Sequence, residues 1–467
     1  MFLGKLFFDQ SSQDAFCKLS GDINPIHYDS IEARKTIAGQ CVVHGMHTFL
    51  CMLELLIART QTAYESYSIK FLKPIFLNEV FFCDWDKKNN ILKLTNSSNI
   101  AFVSIKCNIA IHKPYAGNGA EIPLLDNLQN TPEDISIGDL HEGLKFNPYF
   151  SIAYNDGTHF IAQTINFLGK YRVFEIISLS GIIGMQVPGM HSIFSECSFS
   201  FTSTKSQPIC EIKKIDQRFN LVELQYKGLN LDAKLLAFFR PRPMKINHVL
   251  EIKKNISSDS SLKNLKVLII GGSRGLGAWA AKILASQDAE VFITYRSGEK
   301  EANEIAEEIN NFSSGKCHSM KLDVEDFQSN QIPNSLDHLY YFATPKIFGK
   351  QSDALDQNLL NSFLSIYCNS FYRLSKIFIG NGGQKILYPS SIAISDPLPE
   401  LQEYIQAKIA GEEICNQIEK EFNVSVLKPR IKRVLTDQTA TILPISSENP
   451  FDVAKKLVEE MTSGVRN

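Results

Sequence analysis

A chain of 467 residues is long enough for about three domains of ordinary size. With 44% hydrophobic residues, 21% charged residues and a net charge of −2, it lacks the charge excess of a nucleic-acid or membrane-surface binder. Ten cysteines without CxxC pairs or regular spacing argue against a disulfide frame or a zinc site and for reduced thiols in the cytoplasm. The start, MFLGKLFFDQ, is too short for a signal sequence and has no cleavage region. No apolar run approaches the ~20 residues that span a bilayer.

The first informative stretch is SGDINPIH, Ser20 to His27, followed by VHGM at Val43 to Met46. It sets a carboxylate, Asp22, and an imidazole, His27, five residues apart around the Asn24-Pro25 turn. Proline disfavours helix at the residue before it, so Asp22 is expected on a loop and His27 at the start of the next helix. A carboxylate and an imidazole that share one water can take a proton from it and deliver one to carbon. Alone, either residue reads as a cap or a surface polar group. Together with HGM at this distance they resemble the (R)-specific enoyl-CoA hydratases, the MaoC-like branch of the hot-dog fold, over about Phe16 to Met46. That resemblance implies Asp22 and His27 as the catalytic pair and Asn24 and Gly45 as substrate contacts. Backbone N–H groups near Gly45 would face the thioester oxygen as it gains charge.

An internal repeat organises the first half. VHGMHTFLCMLELL (Val43 to Leu56) has a counterpart 130 residues later in VFEIISLSGIIGMQ (Val173 to Gln186). YSIKF (Tyr67 to Phe71) falls opposite CSFSF (Cys197 to Phe201) at the same offset. Three β-rich segments follow each: Val80 to Trp85, Ile91 to Thr95 and Ile100 to Ile111, then Ile209 to Ile215, Leu221 to Tyr226 and Asp232 to Phe239. One long helix and several antiparallel strands, twice over, predict an α+β double hot dog, with domains at 1–115 and 116–245. Shifting Asp22 and His27 by 130 lands on Ile152 and Gly157. Asp156 and His159 lie nearby at the wrong spacing, so the second copy is expected to be degenerate, closing the sheet and lining an acyl tunnel. Its VPGMHSIFSE (Val187 to Glu196) looks like the Pro-Gly turn entering the second strand of related hot dogs.

INHVLEIKKNISSDSSL (Ile246 to Leu262) is polar and serine-rich and reads as a linker, 246–262, to a third domain at 263–467. That domain opens with LKVLIIGGSRGLGAWAAKILASQDAEVFITYRS (Leu265 to Ser297). An apolar strand runs into Gly271, Gly275 and Gly277, then into a helix and a second strand. The glycines permit a tight turn and close approach of the backbone to a pyrophosphate at the helix amino end. This spacing resembles the short-chain dehydrogenase/reductase family, over roughly Leu265 to Val426. The resemblance implies an α/β Rossmann domain with a doubly wound parallel sheet, and a dinucleotide held by the loop through Gly271, Ser273, Arg274, Gly275, Leu276 and Gly277. After the second strand the chain reads TYRS. Arg296 and Ser297 there, with Arg274 in the loop, favour NADP(H), because a basic residue accommodates the 2′-phosphate. Asp323, in KLDV, resembles the family's adenine-contacting aspartate.

YIQAK carries Tyr404 and Lys408 one helical turn apart, and Ser391 in ILYPSS precedes Tyr404 by thirteen residues. A neighbouring ammonium stabilises a phenolate. Tyr404 would thus give a proton to a developing alkoxide, with Lys408 also on the nicotinamide ribose and Ser391 orienting the carbonyl. Two features depart from the family pattern. YYFATP (Tyr340 to Pro345) stands where an NNAG-like segment is usual and keeps only Ala343, and Tyr367 aligns with the helical asparagine, Asn369 being two residues away.

Related reductases make a 3-hydroxyacyl thioester, and MaoC-like hydratases interconvert that product with the trans-2-enoyl thioester. The resemblances together imply a bifunctional enzyme of fatty-acyl metabolism. Its partners would be an acyl-CoA or acyl carrier protein thioester, with no metal, nucleic acid or membrane, and a homo-oligomer could form through the reductase domain. An alternative stays open: a reductase of another carbonyl, the hot dogs serving as a scaffold for an acyl carrier.

Overall fold

The computed structural model describes all residues except 123–129, 149, 151–157, 205, 258, 348–354, 444 and 464–467. The chain forms two compact units, Met1–Arg242 with Thr441–Pro444, and Pro243–Ala440 with Ile445–Asn467.

The first unit is built on one antiparallel sheet. Its strands are β1 (Phe2–Phe7), β2 (Ala63–Phe71), β3 (Val80–Asp86), β4 (Ile91–Thr95), β5 (Ala101–Ile111), β6 (Lys145–Phe146), β7 (Ser192–Phe201), β8 (Ile209–Asp216), β9 (Leu221–Lys227) and β10 (Leu231–Phe239). They lie in the order β1-β3-β4-β5-β2-β7-β10-β9-β8-β6. Alternate residues of β10 are buried, as expected where one face covers a core. Two apolar helices share that core: Gly45–Thr60, and Lys170–Gly181 continuing as a π-helical turn, Ile182–Gln186. The two halves meet at β2 and β7, where Ser68 pairs with Ser198 and their hydroxyls are 2.8 Å apart. These two serines are 130 residues apart, the offset of the sequence repeat. The flanking pairs, Tyr67 with Phe199 and Ile69 with Cys197, exchange under the same shift. The expected strand segments follow in the same order outward on either side of the β2–β7 pairing, β5-β4-β3 and β10-β9-β8.

The second unit has a six-stranded parallel sheet of β11 (Lys266–Ile270), β12 (Glu290–Tyr295), β13 (Lys316–Lys321), β14 (His338–Tyr341), β15 (Lys385–Leu387) and β17 (Ser425–Leu427). The spatial order β13-β12-β11-β14-β15-β17 is the doubly wound order, with the turn after β11 at the switch point. A second, two-stranded ladder joins β16 (Ser390–Ser391) to β18 (Arg430–Ile431). One apolar cluster gathers the helices Gly275–Ala285, Glu299–Phe312 and Pro450–Thr462. Another gathers Gln357–Leu364, Phe371–Gly380 and Gln402–Phe422. Residues 246–262, expected as a linker, instead carry the helix Val249–Lys254, with Val249, Ile252 and Leu262 in the core of this unit. Val249 and Ile252 fall on one helical face, a spacing that the serines, asparagines and lysines around them conceal. None of the helices among the described residues is long and apolar enough to cross a membrane.

Candidate active sites

The first site grows out of a helix end and a helix start. The helix Gln10–Ser20 stops at Gly21, whose φ of 67° suits glycine. Asp22 follows on the loop. Asn24 then caps the short helix Pro25–Tyr28, with proline at its first position, and His27 lies in that helix. Asp22 is buried and its Oδ2 is 3.9 Å from His27 Nε2, too far for a direct hydrogen bond and suited to a bridging water. His27 Nδ1 donates to the Val42 carbonyl at 2.7 Å, which leaves Nε2 of the neutral ring with its lone pair toward Asp22. Gln13 fixes that carbonyl by donating to it at 2.8 Å.

His44 stacks on His27 with ring centroids 3.6 Å apart, and its Nε2 donates to the Asp22 backbone carbonyl at 3.0 Å. Asp22, His27 and His44 lie close enough to surround a cation, with ligand atoms within 4.8 Å of one another. His44 Nε2 carries the proton it donates, so it offers no lone pair. Burial raises the Asp22 pKa, which His27 and the Ser180 hydroxyl oppose. Burial also lowers that of His27, against the pull of Asp22. Burial thus disfavours the charged form of each, and each favours the charged form of the other. His44 is the N-cap of Gly45–Thr60 and makes no side-chain cap bond, so it leaves the first-turn N–H groups to other acceptors. A Cβ on Gly45 would lie 2.8 Å from the Phe71 ring.

Asn24 corrects an expectation. Its amide donates to Gly184 O and Gly189 O, both at 2.9 Å, and its Oδ1 accepts from Ile26 N. It is fully buried with both hydrogens engaged, so it braces the loop rather than touching a substrate. Ile152, Asp156 and Gly157 lie outside the described residues, and His159 is exposed in a 3-10 turn.

In the second unit Gly271 has φ 79° and Gly275 φ 57°, and a Cβ on Gly277 would sit 2.3 Å from Gly271 O. These positions keep backbone bare where strand β11 turns into the helix Gly275–Ala285, whose N-cap, Arg274, makes no side-chain cap bond. The cradle therefore fits an anionic pyrophosphate at the helix amino end. Ser273 is buried in this turn, and Leu276 packs partly buried against the core. Beyond β12, Arg296 and Ser297 are exposed. Arg296 Nη1 lies 3.6 Å from Glu325 Oε2. Asp323 Oδ1 accepts from Glu325 N at 3.1 Å.

Ser391, at the end of β16, hydrogen-bonds through its hydroxyl to Tyr404. Tyr404 and Lys408 lie on the helix Gln402–Phe422. Lys408 Nζ donates to Pro389 O at 2.7 Å and lies over the rings of Tyr367 and Tyr388, 4.0 and 4.6 Å from their centroids. Burial pulls the Lys408 pKa down to about 7. The two ring faces oppose that by favouring the ammonium. Tyr367 sits in a π-helical turn, Ser365–Ser370, with its hydroxyl on Thr344 Oγ1 at 2.5 Å and its ring 5.9 Å from that of Tyr404. Asn369 is exposed in that turn.

Two family models match the chain: MaoC like domain over residues 8–101, and short chain dehydrogenase over residues 265–428. The chain joins a MaoC-like domain to a short-chain dehydrogenase domain. Among curated proteins, the NADP(+)-dependent L-rhamnose 1-dehydrogenase of Thermoplasma acidophilum is 39% identical over 64 residues. The match covers 14% of this chain and only a quarter, 25%, of that relative. Among solved structures, a short-chain dehydrogenase/reductase from Serratia marcescens is similar at 19% identity and TM-score 0.39, covering 43% of this chain and 92% of that one. A short-chain dehydrogenase from Burkholderia cenocepacia, in complex with NADP, has 19% identity and TM-score 0.38, with the same coverage.

The sequence motifs pointed to Asp22 and His27 but not to the groups around them. Ser180 donates to Asp22 Oδ2 at 2.7 Å, and a Cβ on Gly184 would lie 2.1 Å from Asp22 Oδ1. The signal available was a pair of small residues in the apolar ISLSGIIGMQ run. In the dehydrogenase domain, Thr344 and Tyr388 surround Tyr367 and Lys408, both in stretches already noted for other reasons, YYFATP and ILYPSS.

Proposed function

We propose that the chain is a bifunctional acyl-thioester enzyme of the cytoplasm: an (R)-specific 2-enoyl hydratase/3-hydroxyacyl dehydratase and an NADPH-dependent 3-oxoacyl reductase of fatty-acyl metabolism. We read the first unit as a double hot dog, 1–115 and 116–245, with the dyad in the first copy, and the dehydrogenase domain as running to 467. What supports the reading is that each unit brings together groups able to move a proton, Asp22 with His27 and Ser391 with Tyr404 and Lys408. The two chemistries share the 3-hydroxyacyl thioester.

In hydration, His27 Nε2 takes a proton from a water held against Asp22 as the water oxygen bonds to C3. A proton from the same pair reaches C2, and the first-turn N–H groups at Gly45 take the negative charge on the thioester oxygen. In reduction, Ser391 orients the carbonyl and Tyr404 gives its hydroxyl proton to the alkoxide oxygen, with Lys408 stabilising the phenolate left behind. The Gly271–Gly277 turn and Arg296 would hold NADPH, which would supply the hydride when bound. The test is a product assay with 3-oxoacyl thioesters on coenzyme A and on acyl carrier protein, with NADPH and NADH in parallel. Hydroxyacyl and enoyl products are expected with NADPH, and NADPH oxidation without enoyl product on any carrier would reduce the reading to the reductase half.

Arg296→Ala is expected to weaken NADPH binding by on the order of 2 kcal/mol, the scale of a charge-assisted contact, and NADH binding hardly at all. Fluorescence titration with each nucleotide reads this directly, and equal losses would make Arg296 a surface charge paired only with Glu325.

Tyr367→Leu removes the ring under the Lys408 ammonium, whereas Tyr367→Phe keeps it and removes only the hydroxyl. The ammonium then loses an attraction of about 1–2 kcal/mol. Its loss raises the pH needed to ionise Tyr404. Alcohol oxidation by the leucine variant should therefore switch on at higher pH than in wild type, with the phenylalanine variant close to wild type. A pH profile of 3-hydroxyacyl oxidation checks the order.

A further inference from the structure

The copy without the dyad supplies the groups that hold it. Asp22 is buried, and its carboxylate accepts from Asn24 N on its own loop at 3.3 Å and from a side chain of the other half of the unit. Ser180, on the helix Lys170–Gly181, donates to Oδ2 at 2.7 Å and is itself buried. One helical turn on, Gly184 in the π-helical turn leaves the space beside Oδ1, where a Cβ would be 2.1 Å away. The Gly184 carbonyl in turn accepts from the Asn24 amide, which ties the Asp22 loop to the same turn. The wider hydrogen-bonding pitch of a π-turn re-aims carbonyls and side chains within an apolar helix, and such turns recur at functional sites.

We propose that Ser180 is a positioning residue of the hydratase site: its hydroxyl fixes the Asp22 carboxylate and aims Oδ2 at the water shared with His27. The proposal rests on the hydratase reading above and gives the second copy a role within it. The two donors are unequal: Asn24 N reaches Oδ1 at 3.3 Å, whereas the Ser180 hydroxyl reaches Oδ2 at 2.7 Å. The hydroxyl satisfies one lone pair on Oδ2, fixes the rotamer, and leaves the rest of that oxygen facing His27 Nε2 at 3.9 Å. The other groups facing Asp22 are the rings of His27 and His44 and the Cys17 thiol. His44 already spends its Nε2 proton on the Asp22 backbone carbonyl. The Cys17 thiol is held neutral by its own burial. Ser180 is thus the direct side-chain hydrogen-bond donor to the carboxylate among the described residues. Gly184 makes the placement possible, because any side chain there takes the carboxylate's place.

The sign of the effect follows from the donor. A hydroxyl that donates to the charged form lowers the pH at which the carboxyl protonates, so its loss moves that pH upward. The experiment is Ser180→Ala in the full chain, read in two ways. Infrared difference spectra against Asp22→Asn follow the Asp22 carboxyl stretch through a pH titration, independent of activity. The pH profile of enoyl-thioester hydration follows the acidic limb. In Ser180→Ala both are expected to move to higher pH by about one unit, and kcat is expected to fall about tenfold with little change in KM. Ser180→Thr, which keeps a hydroxyl on the same carbon, is expected to restore both positions. Gly184→Ala is expected to lose hydration while the nucleotide-binding titration stays normal. An unmoved Asp22 titration in Ser180→Ala overturns the proposal even if activity falls. A shifted titration in a protein that hydrates no enoyl thioester upholds Ser180 and overturns the hydratase reading instead.

Discussion

Asp22→Asn is expected to slow hydration of a trans-2-enoyl thioester by about 10³-fold and to leave NADPH binding unchanged. The substitution keeps the shape of the side chain but removes the charge that holds the water and steadies the His27 imidazolium. His27→Ala is expected to cost a similar factor, because Nε2 is the lone pair turned toward Asp22 once Nδ1 is bound to Val42 O. Both groups act on one water, so the double variant should be little worse than either single one. His159→Ala should do little, since that ring is exposed on a 3-10 turn. The measurement is loss of the conjugated enoyl-thioester absorbance, with nucleotide binding as the control for folding. Full hydratase activity in the double variant would remove Asp22 and His27 from the reaction.

What the sequence made legible was local. SGDINPIH contains its own turn chemistry, so a loop at Asp22 and a helix start at His27 follow from it directly. The glycine turn and the YIQAK helix are equally self-contained. The 130-residue repeat was legible because both copies keep the same apolar periods, and the Ser68–Ser198 pairing puts that offset into the sheet register. What escaped was set by register and not by pattern. Ser180 is 158 residues from Asp22, and no local rule says that this serine, among several in an apolar helix, faces a carboxylate. Asn24 misled for the same reason. Its motif suggests a polar group near chemistry, whereas its partners, Gly184 and Gly189, are 160 and 165 residues away. Tyr367 stood out as a departure from the family's asparagine, but its placement beneath Lys408 depends on a π-turn that the sequence does not announce.

Tyr404→Phe is expected to abolish 3-oxoacyl reduction, a loss of about 10³-fold or more, while enoyl hydration stays near normal. The change deletes only the hydroxyl. The ring keeps its edge contact with Tyr367 at 5.9 Å and the helix is undisturbed, so a loss of rate is a loss of the proton donor and not of the fold. NADPH should still bind, because the glycine turn and Arg296 are untouched. Each unit has its own apolar clusters, so a substitution in one core has little energetic reach into the other. The converse variant completes the argument. With Asp22→Asn, a 3-oxoacyl thioester and NADPH should accumulate the 3-hydroxyacyl product, whereas the wild type should carry part of it on to the enoyl thioester. Chromatography of the thioesters separates the three species. Normal reduction by Tyr404→Phe would mean that another group gives the proton. The Tyr367 hydroxyl, held on Thr344 beside the same ring, would then be the residue to replace next.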